Sequence, residues 1–554
     1  MRLSKYLIGT LACALVAGCA NEDVQENVQT ESSGEEAYIA VRLMAPNMAS
    51  RAFQDGDDTA GESDVTSARF YFFNNTGDPV TVSDAGNYVT STSPTLSWTD
   101  NTNDNQNEDE HSNVVLVLQG ENNAQPTKMV VVLNPPSSLG NESKSLAQLS
   151  AAADYSVATK GNFVMSNSVY YDNTTKIDAV NIAANLAETA DAATENPINV
   201  YVERVVARVD VKQNNTSLNN YSDDTDVDAS EINGQTTPTN DAVIAVVKGW
   251  GIANKNATSY LIKNVGTNTS DPFSWNDLTN HRSYWAITED LNNTLATNPS
   301  YADMTPATGA QIPTTQYCQE RTGITNVSGN PTELVVIAEL QVDGVATTIA
   351  RYAGQYYTVD ALLDQFLTQL PDIYIKTTTA GATENDPDSW TKLDKNYLKL
   401  RPAEAGESGI AAYEAVLDLK DAYSNATNYE FASDENGTTS LQLTDVLADL
   451  NALKAQLWYN GRTYYHVPIT HDIDGATAND PGRYGVVRNH LYKISVTGIS
   501  GLGTPIPDDT EDPDPEDPEE PIDPEDPEDN NSYLATQIYI LSWNVITQST
   551  ELGK

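Results

Sequence analysis

Apolar and polar positions alternate at the start of the folded part of the chain. Ile39, Val41 and Leu43 fall on one face, and Tyr38, Ala40, Arg42 and Met44 on the other. That period of two predicts a strand over 37–45 with one buried face, ended by Pro46. Residues 46–64 are rich in Ser, Gly and Asp and predict a loop, and Ala68–Phe73 a second strand. The runs at 113–119 and 128–134 are continuously apolar, as expected of strands covered on both faces. Residues 143–153 predict a helix, and the valines of 198–213 one long strand. Further strands are expected at 242–253, 258–264, 333–342, 345–352, 463–469 and 485–499. A 3.6-residue apolar period predicts helices over 358–370 and 443–458. Asn460-Gly461 predicts a tight turn into Thr463–Val467.

Many short strands with few helices make the chain mainly β, with two β-sandwich domains. The Asn/Thr/Asp-rich stretch 214–240 suggests the boundary, giving domains over 52–225 and 226–501. Residues 502–532 differ in kind. They hold 8 Pro and 14 Asp or Glu with no Lys or Arg, so they form no core and favour extension. As polyproline II such a linker reaches about 95 Å. An apolar strand follows it, within 533–554. Ile538 and Ile540 hold one phase, and Leu541, Trp543 and Val545 the other, so a bulge near Leu541-Ser542 would restore one face. A strand of this kind needs a sheet edge to join, in its own chain or in another.

Composition narrows the function. Lys and Arg number 30 against 78 Asp and Glu in 554 residues, a net charge of −48. Such a surface repels phosphate backbones and excludes a nucleic-acid partner. The three cysteines are Cys13, Cys19 and Cys318, and the first two lie in the N-terminal segment. The folded body therefore has no intramolecular disulfide and no cysteine metal site.

No catalytic, cofactor or metal site is expected. The five histidines make no His-Glu-x-x-His pattern, and Pro505 rules out a dinucleotide-binding helix after Gly498, Gly501 and Gly503. Acid pairs such as Asp57-Asp58 and Asp223-Asp224 read as solvated loops, with weak Ca²⁺ binding the one chemistry left to them.

Residues 1–18 have the basic start and short apolar run of an export signal. Val16-Ala17-Gly18-Cys19 resembles a bacterial lipobox, which implies lipidation of Cys19 and cleavage just before it. Asn21-Glu22-Asp23 resembles the surface-export signal of Bacteroidetes lipoproteins, and Asp58-Thr59-Ala60 their O-glycosylation site.

Three further segments carry a wider resemblance: Val202–Val209, Asn460–Tyr465, and Tyr484–Ile494 with its Val-Val-Arg-Asn. With the lipobox, the acidic linker and the Ile-x-Ile-Leu-x-Trp-x-Val ending, the chain resembles the major fimbrilins of Bacteroidales type V pili. Among them it is most similar to the shaft subunit of the short fimbriae of Porphyromonas.

The resemblance implies two transthyretin-like β-sandwich domains, and export as an outer-membrane lipoprotein to a cell-surface fimbrium. It implies a propeptide, 19–51, that carries the first strand and is removed by an Arg-specific surface protease. Arg42 lies inside a strand and Arg69 opens one, so the cut is expected at Arg51-Ala52, in the loop where nicking is easiest. Ile39, Val41 and Leu43 would then leave a groove. Ile538, Ile540, Leu541, Trp543 and Val545 of another copy would fill it by β-strand addition, which builds an open homopolymer. Fimbrial anchor and tip proteins and host or bacterial surface ligands are the other implied partners. The competing reading is a lipid-anchored surface binding protein that never polymerises, or an accessory or tip subunit.

Overall fold

A computed structural model describes residues 36–44, 65–91, 111–119, 125–155, 162–172, 175–213, 216–238, 242–266, 281, 283, 285–324, 329–378, 388–404, 413–471, 484–511, 522 and 533–542. It is mainly β, built as several sheets.

The first half contributes β1 (Glu36–Met44), β2 (Ala68–Phe73), β3 (Tyr88–Ser91), β4 (His111–Gln119), β5 (Lys128–Leu133), β6 (Met165–Asn167) and β7 (Ile198–Arg204). They form one sheet in the order β3-β2-β5-β6-β7-β1-β4, with Val180–Asn181 added on β5. All six residues of β2 are buried, and all of β5 after Lys128. One face packs Phe70, Phe72, Met129 and Val131 against Ile39, Val41, Leu43, Leu116 and Leu118. The other packs Tyr71, Phe73, Val130 and Val132 beneath Leu261, Ile262 and Val265, which arrive from the second half. The doubly buried reading therefore holds for β5 but not for β4. There Val114, Leu116 and Leu118 are buried, whereas Val115 and Val117 are half-buried, because β4 lies at the edge outside β1.

The valine-rich stretch is two strands, not one. The chain leaves the first sheet at Arg204 and begins β8 (Val206–Lys212) after one intervening residue. The sheets thus change at Val205, ahead of the 225/226 boundary expected from composition. Residues 222–228, inside the supposed polar spacer, are β9 (Ser222–Asp228). In β9 Thr225 and Val227 are buried and the neighbouring acids exposed, so short polar residues concealed a strand.

The second half continues with β10 (Ala242–Ala253), β11 (Thr315–Gln319), β12 (Glu333–Val342), β13 (Arg462–Pro468), β14 (His490–Ser500), β15 (Thr504–Pro505) and β16 (Tyr533–Ser542). One sheet runs β11-β8-β14-β16, and a second β9-β10-β12-β13-β15. Between them lies a shared core that includes Val209, Val211, Val247, Trp250, Val336, Tyr465, Tyr492 and Ile494. Asn460 and Gly461 turn the chain into β13 with φ of 48° and 69°, as the Asn-Gly pair predicts. A side chain at 461 would overlap the Leu340 carbonyl.

Helices α1 (Tyr301–Met304), α2 (Val359–Leu367) and α3 (Leu443–Asn451) belong to this half. Between β12 and β13 the chain builds an additional core, absent from the sequence reading. Leu362, Leu363 and Phe366 of α2 and Val446 and Leu450 of α3 pack there on strands such as Leu398–Pro402 and Glu414–Leu419. The expected helix over 443–458 stops at Asn451, and Lys454–Trp458 is a strand of that module. The expected helix over 143–153 shrinks to Leu146–Leu149, capped by Ser145 and Gln148.

Candidate assembly site

β1 sits inside its sheet although it comes from the start of the chain. It runs antiparallel to β4 over all nine residues and parallel to β7 from Val41 to Met44. Tyr38 and Ala187 extend the second side by exchanging backbone bonds of 2.8 and 2.9 Å. Ile39, Val41 and Leu43 are fully buried. Their seat is a slot between β4 and β7, and they share one core cluster with Leu116 and Leu118 of β4 and Val200 and Val202 of β7.

The C-terminal segment lies on its own chain. β16 is antiparallel to β14 at the edge of the four-stranded sheet, with Leu534 buried in the core. Ile538, Ile540 and Leu541 occupy the register positions opposite Ile494, Tyr492 and Leu491. The register shift falls between Val496 and Gly498 of β14, not near Leu541-Ser542. Trp543, Val545, Cys19, Arg51, Ala52 and Thr59 lie outside the described residues. β1 and β16 belong to different sheets, linked through the continuous β7-β8 segment.

Of the two other early arginines, Arg42 is within β1, and Arg69 is buried with Nη2 bonded to Asn141 at 2.9 Å and its guanidinium 4.8 Å from the Tyr88 ring. Cys318 is buried on β11, and burial pushes its thiol up to about 12.

Sequence reasoning missed the charged groups buried where the two halves meet. Lys263 donates to Glu203 and to the Ser283 carbonyl, at 3.0 and 2.8 Å. Arg488 donates to Glu320 through Nε at 2.9 Å and again through Nη2, and to the Leu261 carbonyl at 3.0 Å. Both pairs are closed to solvent. The Val-Val-Arg-Asn segment thereby acquires a structural meaning. Asn489 adopts a left-handed φ of 57°, its N–H donates to the Val206 carbonyl, and the turn leaves Arg488 buried. A lone arginine in a strand-like segment gives no pattern from which its partner, 168 residues away, could be read.

Two of the histidines have close polar partners. His466 Nδ1 lies 2.5 Å from Glu333, and His471 Nδ1 2.7 Å from the Tyr492 hydroxyl. Among the described residues no group of three or more His, Cys, Asp or Glu is placed to hold a metal ion, and no helix is long and apolar enough to cross a membrane.

Burial, with the Lys263 charge adding to it, pushes His471 down from 6.5 to about 3. The unfolded chain then binds a proton that the folded chain refuses. Stability from this group is complete above 6.5 and is lost as pH falls toward 3, at up to about 1.4 kcal/mol per pH unit. Melting temperatures measured across that window are expected to fall less steeply for His471→Gln than for the parent.

Residues 456–549 match the family model of the major fimbrial subunit protein type IV, fimbrillin, C-terminal. This stretch includes two of the segments on which the fimbrilin resemblance rests. No curated protein sequence matches the chain. Among solved structures, a candidate cell adhesion protein from Parabacteroides distasonis is 13% identical, with 93% of this chain and 99% of that chain covered and a TM-score of 0.37. The tip fimbrial protein Mfa3 from Porphyromonas gingivalis, truncated at its C-terminus, is 14% identical over 83% of this chain and 95% of that chain, with a TM-score of 0.29. A fimbrial assembly protein from Parabacteroides distasonis is 11% identical over 69% and 95%, with a TM-score of 0.28.

Proposed function

We propose that the chain is a structural shaft subunit of a cell-surface fimbria, with no catalytic role. It is exported as an outer-membrane lipoprotein on Cys19, cleaved after Arg51, and polymerised when the C-terminal strand of another copy replaces β1. It supports adhesion and biofilm formation, working with anchor and tip proteins and with host or bacterial surface ligands. The observation that carries this reading is the place of β1. A strand from the beginning of the chain fills an interior position, and its loss opens a slot with hydrogen-bonding edges on both sides. The fimbrillin match over 456–549 supports it, and that range includes the strand to be donated. Arg42 and Arg69 are held within β1 and the core, which favours Arg51 as the cut.

One observation favours a second reading. β16 already has a sheet edge in its own chain, as a subunit that stays monomeric on its lipid would require. Arg51→Ala separates the two. Under strand exchange it is expected to leave a lipidated precursor in the membrane fraction and no fibres by electron microscopy. A wild-type protein that keeps residues 20–51 on the cell surface, read by N-terminal sequencing, would support the monomeric reading and sink the first.

A further inference from the structure

The acidic linker contains one apolar side chain other than proline between Asp508 and Ser532, Ile522 in Pro521-Ile522-Asp523-Pro524. It is buried in a small core of its own with Ala253, Tyr301, Met304, Val335, Ile337 and Tyr464, on the face of the β10-β12-β13 sheet away from the main core. The backbone is held too. Ile522 N–H donates to the Pro299 carbonyl at 3.2 Å, and Asn298 Nδ2 donates to the Ile522 carbonyl at 3.1 Å.

The pocket is built for close approach. Helix α1 carries a Ser300–Asp303 capping box and lies across Gly249 and Gly251 of β10. A side chain at 249 would overlap the Met304 carbonyl, and one at 251 would stand 2.8 Å from Pro299 Cγ and Met304 Sδ. Two bare positions on the strand thus let residues 298–304 come down onto the sheet and form the wall that receives Ile522. The start of the linker is fastened to the same half. Ile506 packs against the same cluster, Asp508 pairs with Arg462 at 3.3 Å, and Asp509 with Lys399 at 2.6 Å.

We infer that this pocket is a latch for the linker, and that the C-terminal strand is delivered on the 11 residues from Ile522 to Tyr533 instead of the 24 that follow the Asp509 ion pair. In polyproline II that shortens the reach from about 74 Å to about 34 Å. The inference rests on the strand-donor reading for its purpose, but the latch itself is a property of the single chain. A short tether raises the effective concentration of the strand at a neighbour within reach and excludes neighbours beyond it.

Hydrogen exchange on the full-length monomer tests the latch. The Ile522 amide is expected to exchange at least tenfold more slowly than a free chain, and Asn298→Ala to remove much of that protection. Ile522→Asp is expected to speed exchange over 299–305, and Ile522→Val to leave it unchanged. Free-chain exchange at Ile522 in the parent, or no response over 299–305 to Ile522→Asp, overturns the latch.

The effect on reach is tested separately, because Pro-Glu-Asp occurs on either side of Ile522, at 515–517 before it and at 524–526 and again at 527–529 after it. Deleting 524–526 is expected to lower fibre yield at least fivefold, and deleting the same tripeptide at 515–517 to leave it unchanged. Equal effects overturn the claim that Ile522 sets the reach. Absence of fibres from the parent chain strikes the strand-donor reading and leaves the exchange result standing.

Discussion

Removing residues 533–554 is expected to give a folded, exported and correctly cleaved monomer that forms no fibres. The fold survives because β16 is an edge strand. β14 keeps its five-residue parallel pairing with β8. Polymerisation fails because nothing remains to fill the slot between β4 and β7. Ile538, Ile540, Leu541, Trp543 and Val545 would each contribute about 1.5–3 kcal/mol on full burial in a neighbour. Added to a ladder with hydrogen bonds on both sides, that makes dissociation very slow. Trp543→Asp alone should weaken fibres, because it places a charge without a partner in an apolar slot. Circular dichroism and electron microscopy of the deletion variant settle the matter. An unfolded product means that the strand is integral to its own domain, and normal fibres mean that another contact drives assembly.

The docking of β16 on its own chain adds a step that the donor-strand proposal must contain. The strand has to leave the β14 edge before it can enter a neighbour. Ten residues of antiparallel pairing would be lost and regained, so the net drive is the difference between two seats. In the vacated β1 slot a strand is paired on both sides, whereas on β14 it is paired on one. That difference favours exchange and sets its direction.

The alternation at Tyr38–Met44 and the Asn-Gly pair at 460–461 report local geometry, and both were legible because neighbours in sequence decide them. The length of β4 was legible and its burial was not, since an edge position depends on which strand lies beside it. β9 was hidden because four of its seven residues are Asp, which is depleted in strands, and Val227 alone marks an apolar side. The break at Val205 was hidden for the opposite reason: valine suits either sheet, so nothing in 198–213 marks the change of partner. Of the proposed assembly elements, the apolar strand at each end was plain from composition and period. The seat of each strand, the Ile522 pocket and the buried charges depend on contacts between distant segments.

Arg488→Ala is expected to be the most destabilising single substitution in the described core. It leaves Glu320 buried with its charge uncompensated, and it strips donors from the Tyr260 and Leu261 carbonyls. Breaking one side of a buried ion pair costs about 3–5 kcal/mol. At roughly 2–4 °C per kcal/mol for a domain of 150–250 residues, the melting temperature should fall on the order of 10 °C. The damage should also spread across the junction. Ser259 and Tyr260 pair with Ala153 and Ala152 of the first half, and the neighbouring Lys263 holds Glu203 of β7. Limited proteolysis should therefore open the segment around 255–266 before either sheet is cut. Replacing both partners, as Arg488→Met with Glu320→Leu, removes the orphaned charge and should recover most of the lost stability. If Arg488→Ala melts within 2 °C of the parent, the pair is not buried as described and the junction is held by the apolar contacts of Leu261, Ile262 and Val265 alone.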